Sequence, residues 1–163
     1  MKNNKDLQQE IKRLKKELNK VRRLSIVDDL TGLYNSRKLH CDLKRCLIKQ
    51  QKLNIKYTII MLDINNFKYI NDTYGHLVGD KRLKEVAVAL CRSVRYLDKV
   101  YRLYGDEFVI KLTNCNNINK VFNRINKNLK KINVVVSFGY NKLNKNVIKI
   151  IDKKMYEMKK RNR

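Results

Sequence analysis

Residues 57–83 have the sequence YTIIMLDINNFKYINDTYGHLVGDKRL. The first part, Tyr57 to Leu62, is rich in apolar, aromatic and β-branched residues, which predicts a buried strand that ends at Asp63. A helix that has Phe67 and Ile70 on its inner face is expected to follow. A carboxylate is therefore expected where a buried strand passes into a helix, and element ends of this kind are where functional sites are often built.

A longer helix is predicted over 80–96, after a loop over 75–79, because apolar residues recur there at helical spacing. The four residues that we expect to face inward are Leu83, Val86, Ala87 and Leu90. Further along, the strand-like segments 100–104 and 107–112 flank Gly105-Asp106. A Gly-X pair suits the central positions of a type II′ turn, so we expect a β-hairpin.

Four further elements complete the pattern. The sequence predicts helices over 36–54, 118–131 and 144–160, and a buried strand over 134–138. Strands and helices in this order favour an α+β fold, in which a mostly antiparallel sheet carries its helices on one face.

The first 25 residues have an amphipathic pattern of their own. Apolar residues follow one another at steps of 4, 3, 4 and 3, and they are Leu7, Ile11, Leu14, Leu18 and Val21. This apolar seam predicts a basic helix over 1–25 that pairs with a second copy of itself as a short coiled coil. The alternative is a helix that docks on its own domain.

The composition limits the class of protein. A chain of 163 residues with 43% hydrophobic residues has the size and the apolar content of one globular domain. Its net charge of +24 favours anionic or phosphorylated ligands. The four cysteines lack zinc-site spacing, so we expect reduced thiols. The sequence shows no apolar signal region and no stretch long enough to span a membrane, which indicates a cytoplasmic protein with no transmembrane segment.

The positions of the acidic residues are informative in so basic a chain. Eight of the eleven acids in 26–152 fall in predicted turns or at element ends. The remaining three, whose positions are typical of helix surfaces, are Asp42, Glu85 and Asp152. Asp63 ends a central strand and Asp106-Glu107 lie at a hairpin tip, so these carboxylates can converge at one edge of the sheet and bind Mg²⁺. The alternative is that Asp106 only forms a turn and Asp63 only caps a strand or a helix.

Several stretches of the sequence resemble the GGDEF diguanylate cyclase family. Residues 63–83 resemble the DxDxFKxxNDxxGHxxGDxxL block of that family, and residues 102–108, RLYGDEF, resemble its signature hairpin. Three shorter blocks, 29–35, 136–139 and 152–163, also match. Five separate blocks of spaced polar residues are far more specific than a single glycine motif.

The resemblance covers about residues 25–163 and implies a ferredoxin-like or palm-type domain. In this fold a mostly antiparallel central sheet has helices packed around it. The domain organisation that follows is a catalytic domain over 26–163 and an N-terminal dimerisation stalk over 1–25.

The resemblance implies that the protein condenses two GTP molecules into cyclic di-GMP and two pyrophosphates, as a homodimer whose active sites face each other. The implied ligands of Mg²⁺ or Mn²⁺ are Asp63, Ile64 through its carbonyl, Asp106 and Glu107. The implied catalytic residues are Asp106, Glu107 and Lys68. The implied substrate contacts are Phe67, Lys68, Asn71, His76, Asp80, Gly105 and Lys159. Asn71 and Asp80 would read guanine, because a carboxylate accepts from both its N1–H and its 2-amino group.

The sequence departs from the family pattern at three places. Tyr104 replaces the first glycine of the GG pair, so its side chain would either obstruct GTP or point away from the site. Asn65 replaces the second aspartate of DxD, which removes a charge but keeps an acceptor. The C-terminal tail leaves open whether Arg161 or Arg163 contacts phosphate.

Arg95 and Asp98 have the spacing of the RxxD site at which many family members bind their product. The alternative is that they form an exposed ion pair. Three functions therefore stay open: an active cyclase with product inhibition, a catalytically weak receptor for cyclic di-GMP or GTP, and a nucleic-acid binder. The sequence lacks an interleaved aromatic stripe, so we expect no specific nucleic-acid partner.

Overall fold

The computed structural model of the chain describes residues 4–24 and 26–147, which form five helices and four strands. In chain order the elements are α1 (Asn4–Leu24), α2 (Ser36–Leu53), β1 (Tyr57–Ile64), α3 (Phe67–Tyr74), α4 (His76–Ser93), β2 (Lys99–Arg102), β3 (Glu107–Thr113), α5 (Ile118–Lys130) and β4 (Val136–Lys142). The helix predicted over 144–160 lies largely outside the described residues.

The four strands form one antiparallel sheet in the order β2-β3-β1-β4. The chain thus has the predicted α+β fold with its hairpin between β2 and β3. β1 lies inside the sheet, where it pairs with β3 on one side and with β4 on the other. This central position explains why β1 is almost continuously apolar.

Helices cover both faces of the sheet, whereas the sequence pattern predicted helices on one face. Successive side chains of a strand point to opposite faces. Accordingly, Ile60 and Leu62 pack in a core that α4 and α5 complete, and Ile59 and Met61 pack in a second core with α2. The one-face prediction is wrong because a central strand that is apolar at successive positions needs apolar cover on both sides.

A single residue, Gly75, separates α3 from α4, so the loop predicted over 75–79 is wrong. The Gly75 N–H donates to the carbonyl of Asn71 at 2.9 Å, which ends α3, and the Gly75 carbonyl accepts from Val78 at 3.1 Å, which starts α4. Gly75 has a φ of 85°, a conformation that glycine adopts without steric cost. α4 therefore begins at His76, and it ends at Ser93 rather than at the predicted position 96.

Several strand boundaries also differ from the prediction. The strand predicted over 100–104 is β2 and ends at Arg102, β3 ends one residue later than predicted, and the strand predicted over 134–138 is β4 and runs on to Lys142. β1 extends through Asp63 to Ile64, because both residues pair with β4. β4 begins at Val136 rather than at 134, because the N–H of Val134 donates to the carbonyl of Leu129 at 3.1 Å and so belongs to the end of α5. The predicted bounds of α2 and α5 are each confirmed to within one residue.

The N-terminal segment is the predicted helix, α1. All five residues of its apolar seam are exposed in the single chain, so the seam does not dock on the domain. No helix in 4–24 or 26–147 combines the length and the apolar character that crossing a bilayer requires.

A buried polar cluster joins α2 to the sheet. Asp42, which the sequence analysis placed among ordinary helix-surface acids, is buried and accepts hydrogen bonds from Lys38 Nζ and from Tyr101 Oη, each at 2.9 Å. Burial alone would raise the pKa of Asp42, but these hydrogen bonds and the charges of Lys38 and Lys111 outweigh burial and lower it. The surface prediction was wrong because Asp42 lies on the inner side of α2, where Tyr101 supplies a donor.

We expect Tyr101→Phe to lower the free energy of unfolding by about 1–3 kcal/mol at pH 7, because a buried carboxylate loses a donor. Since the hydrogen bond helps to hold the pKa of Asp42 below its ordinary value, the difference from wild type should be full above the unfolded pKa of about 4 and should shrink as the pH falls from there through the lower pKa of the folded chain. Urea unfolding at several pH values measures both effects. Tyr96→Phe, at a side chain that is 98% exposed, is the matched control and should change nothing. Equal stabilities for the two variants would contradict the prediction.

Candidate functional site

A cavity of about 490 Å³ opens at the end of β1. Five of the residues predicted for the site line it: Asp63, Ile64, Phe67, Lys68 and Asp106. The other lining residues are Asn65, Asn66, Tyr69, Asp72 and Ser137. The structure therefore brings together a strand end, the first turn of α3 and the tip of the β2–β3 hairpin.

The register of the sheet determines where the acids meet. Asp63, which is 4% exposed, lies directly opposite Glu107 of β3. Directly opposed residues of an antiparallel pair share a face, and like charges in that position destabilise the pair. Two opposed carboxylates at the end of a ladder therefore favour a bound cation. Glu107 itself does not line the cavity.

The signature turn spans Tyr104 to Glu107. The Glu107 N–H donates to the Tyr104 carbonyl at 2.7 Å, and Gly105 has a φ of 49° while Asp106 does not have a positive φ. This pattern of φ signs agrees with the predicted type II′ turn. The Ile64 N–H donates to the Asp106 carbonyl at 3.4 Å, which joins the turn to the end of β1.

The side chain of Tyr104 points into solvent. It is 65% exposed and does not line the cavity. The sequence left open whether Tyr104 would obstruct the site or point away from it. In the structure it points away, so the space between Asp63 and Asp106 is clear of this side chain.

A hydrogen-bonded loop connects β1 to α3. The Asn65 N–H donates to the Val135 carbonyl at 3.0 Å, and the Asn65 side-chain oxygen accepts from Ser137 Oγ at 2.8 Å. Asn66 follows in the left-handed conformation, with a φ of 57°, and directs the chain into α3. Sequence reasoning assigned no role to Ser137. A serine inside an otherwise apolar strand was the signal that could have identified it.

Arg102 fixes the signature turn to the N-terminal side of the domain. Its Nε donates to the Gly105 carbonyl at 2.8 Å, and its Nη1 donates to Asp28 Oδ1 at 3.1 Å. Asp28 also accepts from the hydroxyl and the N–H of Thr31, at 2.6 and 2.9 Å. Burial alone would raise the pKa of Asp28, but the bonds from Thr31 and Arg102 lower it. Sequence reasoning missed this pair, because 74 positions separate the two residues.

The residues predicted to read guanine lie where α3 meets α4. A Cβ at Gly79 would overlap the side-chain oxygen of Asn71 and would lie 3.3 Å from the ring of Phe67, so this close approach requires glycine. Asp80 directly follows Gly79, and the exposed His76 begins α4. Asn71, His76 and Asp80 do not line the 490 Å³ cavity.

Gly105 and the predicted C-terminal phosphate contacts are not part of the cavity lining that the structure describes. Gly105 is exposed in the signature turn and does not line the cavity. Lys159, Arg161 and Arg163 lie outside the described residues.

The donor set in the cavity fits a hard divalent cation. Asp63 and Asp106 offer carboxylate oxygens and Ile64 a main-chain carbonyl, which are ligands that Mg²⁺ and Mn²⁺ accept. Within 4–24 and 26–147, no group of three or more His, Cys, Asp or Glu side chains is arranged to hold a metal. A cation here would therefore complete its shell with water or with phosphate oxygens, as Mg²⁺ commonly does.

A second cavity, of about 410 Å³, contains the predicted product site. Arg95 and Asp98 line it together with Tyr34 and Lys99. The two residues do not form the exposed ion pair that was the alternative. Instead, the two carboxylate oxygens of Asp98 accept from the N–H groups of Arg95 and Thr113, each at 3.0 Å. Each oxygen has a second lone pair, so Asp98 still has acceptor capacity for a ligand.

Comparison with known proteins agrees with the geometry. The family profile described as "Diguanylate cyclase, GGDEF domain" matches residues 25–163. Diguanylate cyclase VdcA of Vibrio cholerae is 40% identical over 101 residues, or 62% of this chain and 29% of that protein. Diguanylate cyclase DgcS of Shewanella oneidensis is 40% identical over 86 residues, or 53% of this chain and 29% of that protein. The chain therefore matches less than a third of the length of each of these two relatives.

Two solved structures are also similar to the chain. Diguanylate cyclase SiaD from Pseudomonas aeruginosa, solved with its activator SiaC, has a TM-score of 0.78 and 27% identity, over 94% of this chain and 66% of that one. The coiled coil and GGDEF domain of DgcB from Caulobacter crescentus, solved with c-di-GMP, has a TM-score of 0.78 and 24% identity, over 97% of this chain and 93% of that one. The second likeness shows the fold. Since the family profile spans nearly the whole chain and the fold agrees, this protein belongs to the GGDEF diguanylate cyclase family.

Proposed function

We propose that the protein is a diguanylate cyclase, which joins two GTP molecules into cyclic di-GMP and releases two pyrophosphates. The observation that carries this proposal is that Asp63 and Asp106, 43 positions apart in the chain, line one cavity with Lys68 while Tyr104 stays outside it. In each half-reaction, the 3′-hydroxyl oxygen of one GTP forms a bond to the α-phosphorus of the other. The bond from that phosphorus to the pyrophosphate oxygen breaks, and the hydroxyl proton passes to Glu107 or to water.

The residues of the cavity have distinct roles in this proposal. Asp63, Asp106 and the Ile64 carbonyl hold Mg²⁺ or Mn²⁺, which when bound supplies positive charge at the reacting phosphates. Lys68 offsets the negative charge of the triphosphate. Glu107, at the start of β3 and opposite Asp63, assists in metal binding or accepts the proton of the attacking hydroxyl.

Guanine recognition is assigned to the contact between α3 and α4. Asn71 and Asp80 present an amide and a carboxylate near Gly79, and the carboxylate matches the two donors of the guanine edge. Adenine lacks this pair of donors, so the protein should select GTP over ATP. Phe67 and Gly105 are proposed to contact the nucleotide, and so is His76.

The proposed reaction needs two protomers, because each one contributes a GTP. The exposed seam of α1, which includes Leu7, Leu14 and Leu18, would hold two copies together so that their active sites face each other. This pairing also removes apolar side chains from water.

The second cavity favours an additional role, binding of the product. Arg95 offers a guanidinium to a phosphate or a guanine, and Tyr34 offers an aromatic ring in the same cavity. Occupation of this site by cyclic di-GMP would inhibit synthesis without competing directly with GTP. If synthesis is absent, the same site would make the protein a receptor for cyclic di-GMP.

Asp106→Asn should reduce synthesis of cyclic di-GMP on the order of 100-fold or more, because a charged ligand of the metal is lost. Chromatography of a reaction of purified protein with GTP and Mg²⁺ measures the product. Wild type should show a rate per protomer that rises with protein concentration. Glu85→Gln, which removes a carboxylate from α4 outside this cavity, is the control and should retain full activity. Absence of product from wild type, or full activity of Asp106→Asn with unchanged circular dichroism, would refute the proposal.

Arg102→Ala should lower kcat more than it raises KM, because Arg102 positions the turn that carries Asp106 and does not itself line the cavity. We also expect the free energy of unfolding to fall by about 1–3 kcal/mol, since the hydrogen bonds to Gly105 and Asp28 are lost. Arg102→Lys keeps the charge, but a lysine ammonium lacks the planar guanidinium that bonds to Gly105 and Asp28 at the same time. This variant should therefore not restore the rate. Arg45→Ala on the exposed side of α2 is the control. A drop in stability with unchanged kcat would leave Arg102 a purely structural residue.

Arg95→Ala should raise the concentration of cyclic di-GMP that halves the rate by about tenfold or more, because the product loses a charge-assisted hydrogen bond. The rate without added product should stay at the wild-type value. Inhibition curves measured at several GTP concentrations distinguish this site from competition at the active site. Identical curves for Arg95→Ala and wild type would rule out the product site.

A further inference from the structure

A groove between α4 and α5 lies apart from the two cavities described above. Its volume is about 350 Å³, and it shares no lining residue with either of them. This volume is at the lower end of the range of small-molecule sites, about 300–1,000 Å³. None of the roles proposed above uses this groove.

The floor of the groove is apolar. Val88 and Ala89 of α4 form it together with Ile132, which follows α5. Val88 is 50% exposed although it lies in a concave region, while Ala89 is buried beside it. An apolar body placed on this floor would remove the Val88 side chain from water, which is favourable.

The rim of the groove is cationic. Lys84 and Arg92 stand on the α4 side, and Lys131 stands on the α5 side. None of these three side chains forms an ion pair with another residue of 4–24 or 26–147. The chain from 108 to 151 contains no Asp or Glu, so α5 brings no acid to its side of the groove.

The acid at the groove, Glu85, is already engaged. Its Oε2 accepts from Arg82 Nη1 at 2.9 Å, so its charge is offset within α4. The same nitrogen of Arg82 donates to the Ile132 carbonyl at 2.6 Å, which joins α4 to the segment after α5. The local field from Lys84, Arg92 and Lys131 is therefore positive.

Hydrogen bonds hold the two walls of the groove in place. Arg82 ties α4 to Ile132 at one end, and Asn128 Nδ2 donates to Ser93 Oγ at 2.9 Å near the other end. Ser93 Oγ in turn donates to the Ala89 carbonyl at 2.7 Å. A groove whose walls are fixed at both ends is preorganised, so a ligand spends little free energy on ordering it.

We propose that this groove binds a small amphiphilic anion. An aromatic or alkyl body would lie on Val88, Ala89 and Ile132, and one carboxylate, sulfonate or phosphate group would lie among the cations of the rim. Tight binding needs both the apolar body and the anionic group of the ligand. The floor of the groove has no charge to attract an anion, and the rim has no apolar surface to bury an apolar body. This assignment does not depend on the catalytic activity proposed above.

Naphthalene-2-sulfonate is a suitable probe, because it combines one aromatic ring system with one anionic group and has no other functional group. We would titrate it into the full chain and follow the backbone amides by ¹H–¹⁵N NMR. Saturable shifts centred on 84–92 and 128–132 are expected. Inorganic sulfate, which lacks the apolar body, should bind at least about tenfold more weakly.

Variants separate this site from the general positive charge of the chain. Arg92→Ala should weaken binding of the probe about tenfold, and Val88→Glu, which places an acid on the floor, should abolish it. Lys127→Ala removes an exposed charge of α5 outside the groove and should bind the probe as wild type does. Circular dichroism checks that each variant is folded.

Four results would overturn the proposal. The first is that sulfate binds as tightly as the probe, and the second is that Lys127→Ala loses as much affinity for the probe as Arg92→Ala does. The third is that the probe causes its largest amide shifts along α1 or around Arg95. The fourth is that the amide shifts at 84–92 change with protein concentration when no probe is present. The last result would assign the groove to a second copy of the chain.

Discussion

The pairing of β1 with β3 is the constraint on which the rest of the structure depends. Their register places Asp63 opposite Glu107 and brings the hairpin tip with Asp106 to the end of the central strand. A slip of one residue would turn every side chain of β1 to the other face. The two cores make such a slip costly, because Ile59 and Ile60 are both fully buried on opposite sides of the sheet. Hydrophobic packing therefore determines where the carboxylates of the site lie.

Much of this arrangement could be predicted from the sequence. The apolar run of β1, the Gly105-Asp106 turn and the helical spacing of α4 are local patterns, and each corresponds to an element of the structure. The convergence of Asp63 and Asp106 also followed, because both lie at element ends and the hairpin was expected to lie beside the central strand. These features depend on residues that are close in sequence or on a simple sheet topology.

Other features depend on contacts that no local pattern contains. The buried bond between Asp42 and Tyr101 joins residues 59 positions apart, and in the sequence Asp42 resembles any other charge on a helix. The early start of α4 depends on the conformation of Gly75, which a sequence pattern cannot distinguish from that of a glycine in a longer loop.

Arg102 has a practical consequence for anyone who wants to express the domain alone. The guanidinium reaches back to Asp28, and the Asn35 N–H donates to the Ile26 carbonyl at 3.0 Å, so the short segment ahead of α2 is part of the folded unit. A recombinant fragment that starts at Ser36 would keep every strand, yet its signature turn would lack the anchor that Asp28 provides. Truncation boundaries should therefore fall before Ile26, so that the fragment keeps both bonds that hold this segment.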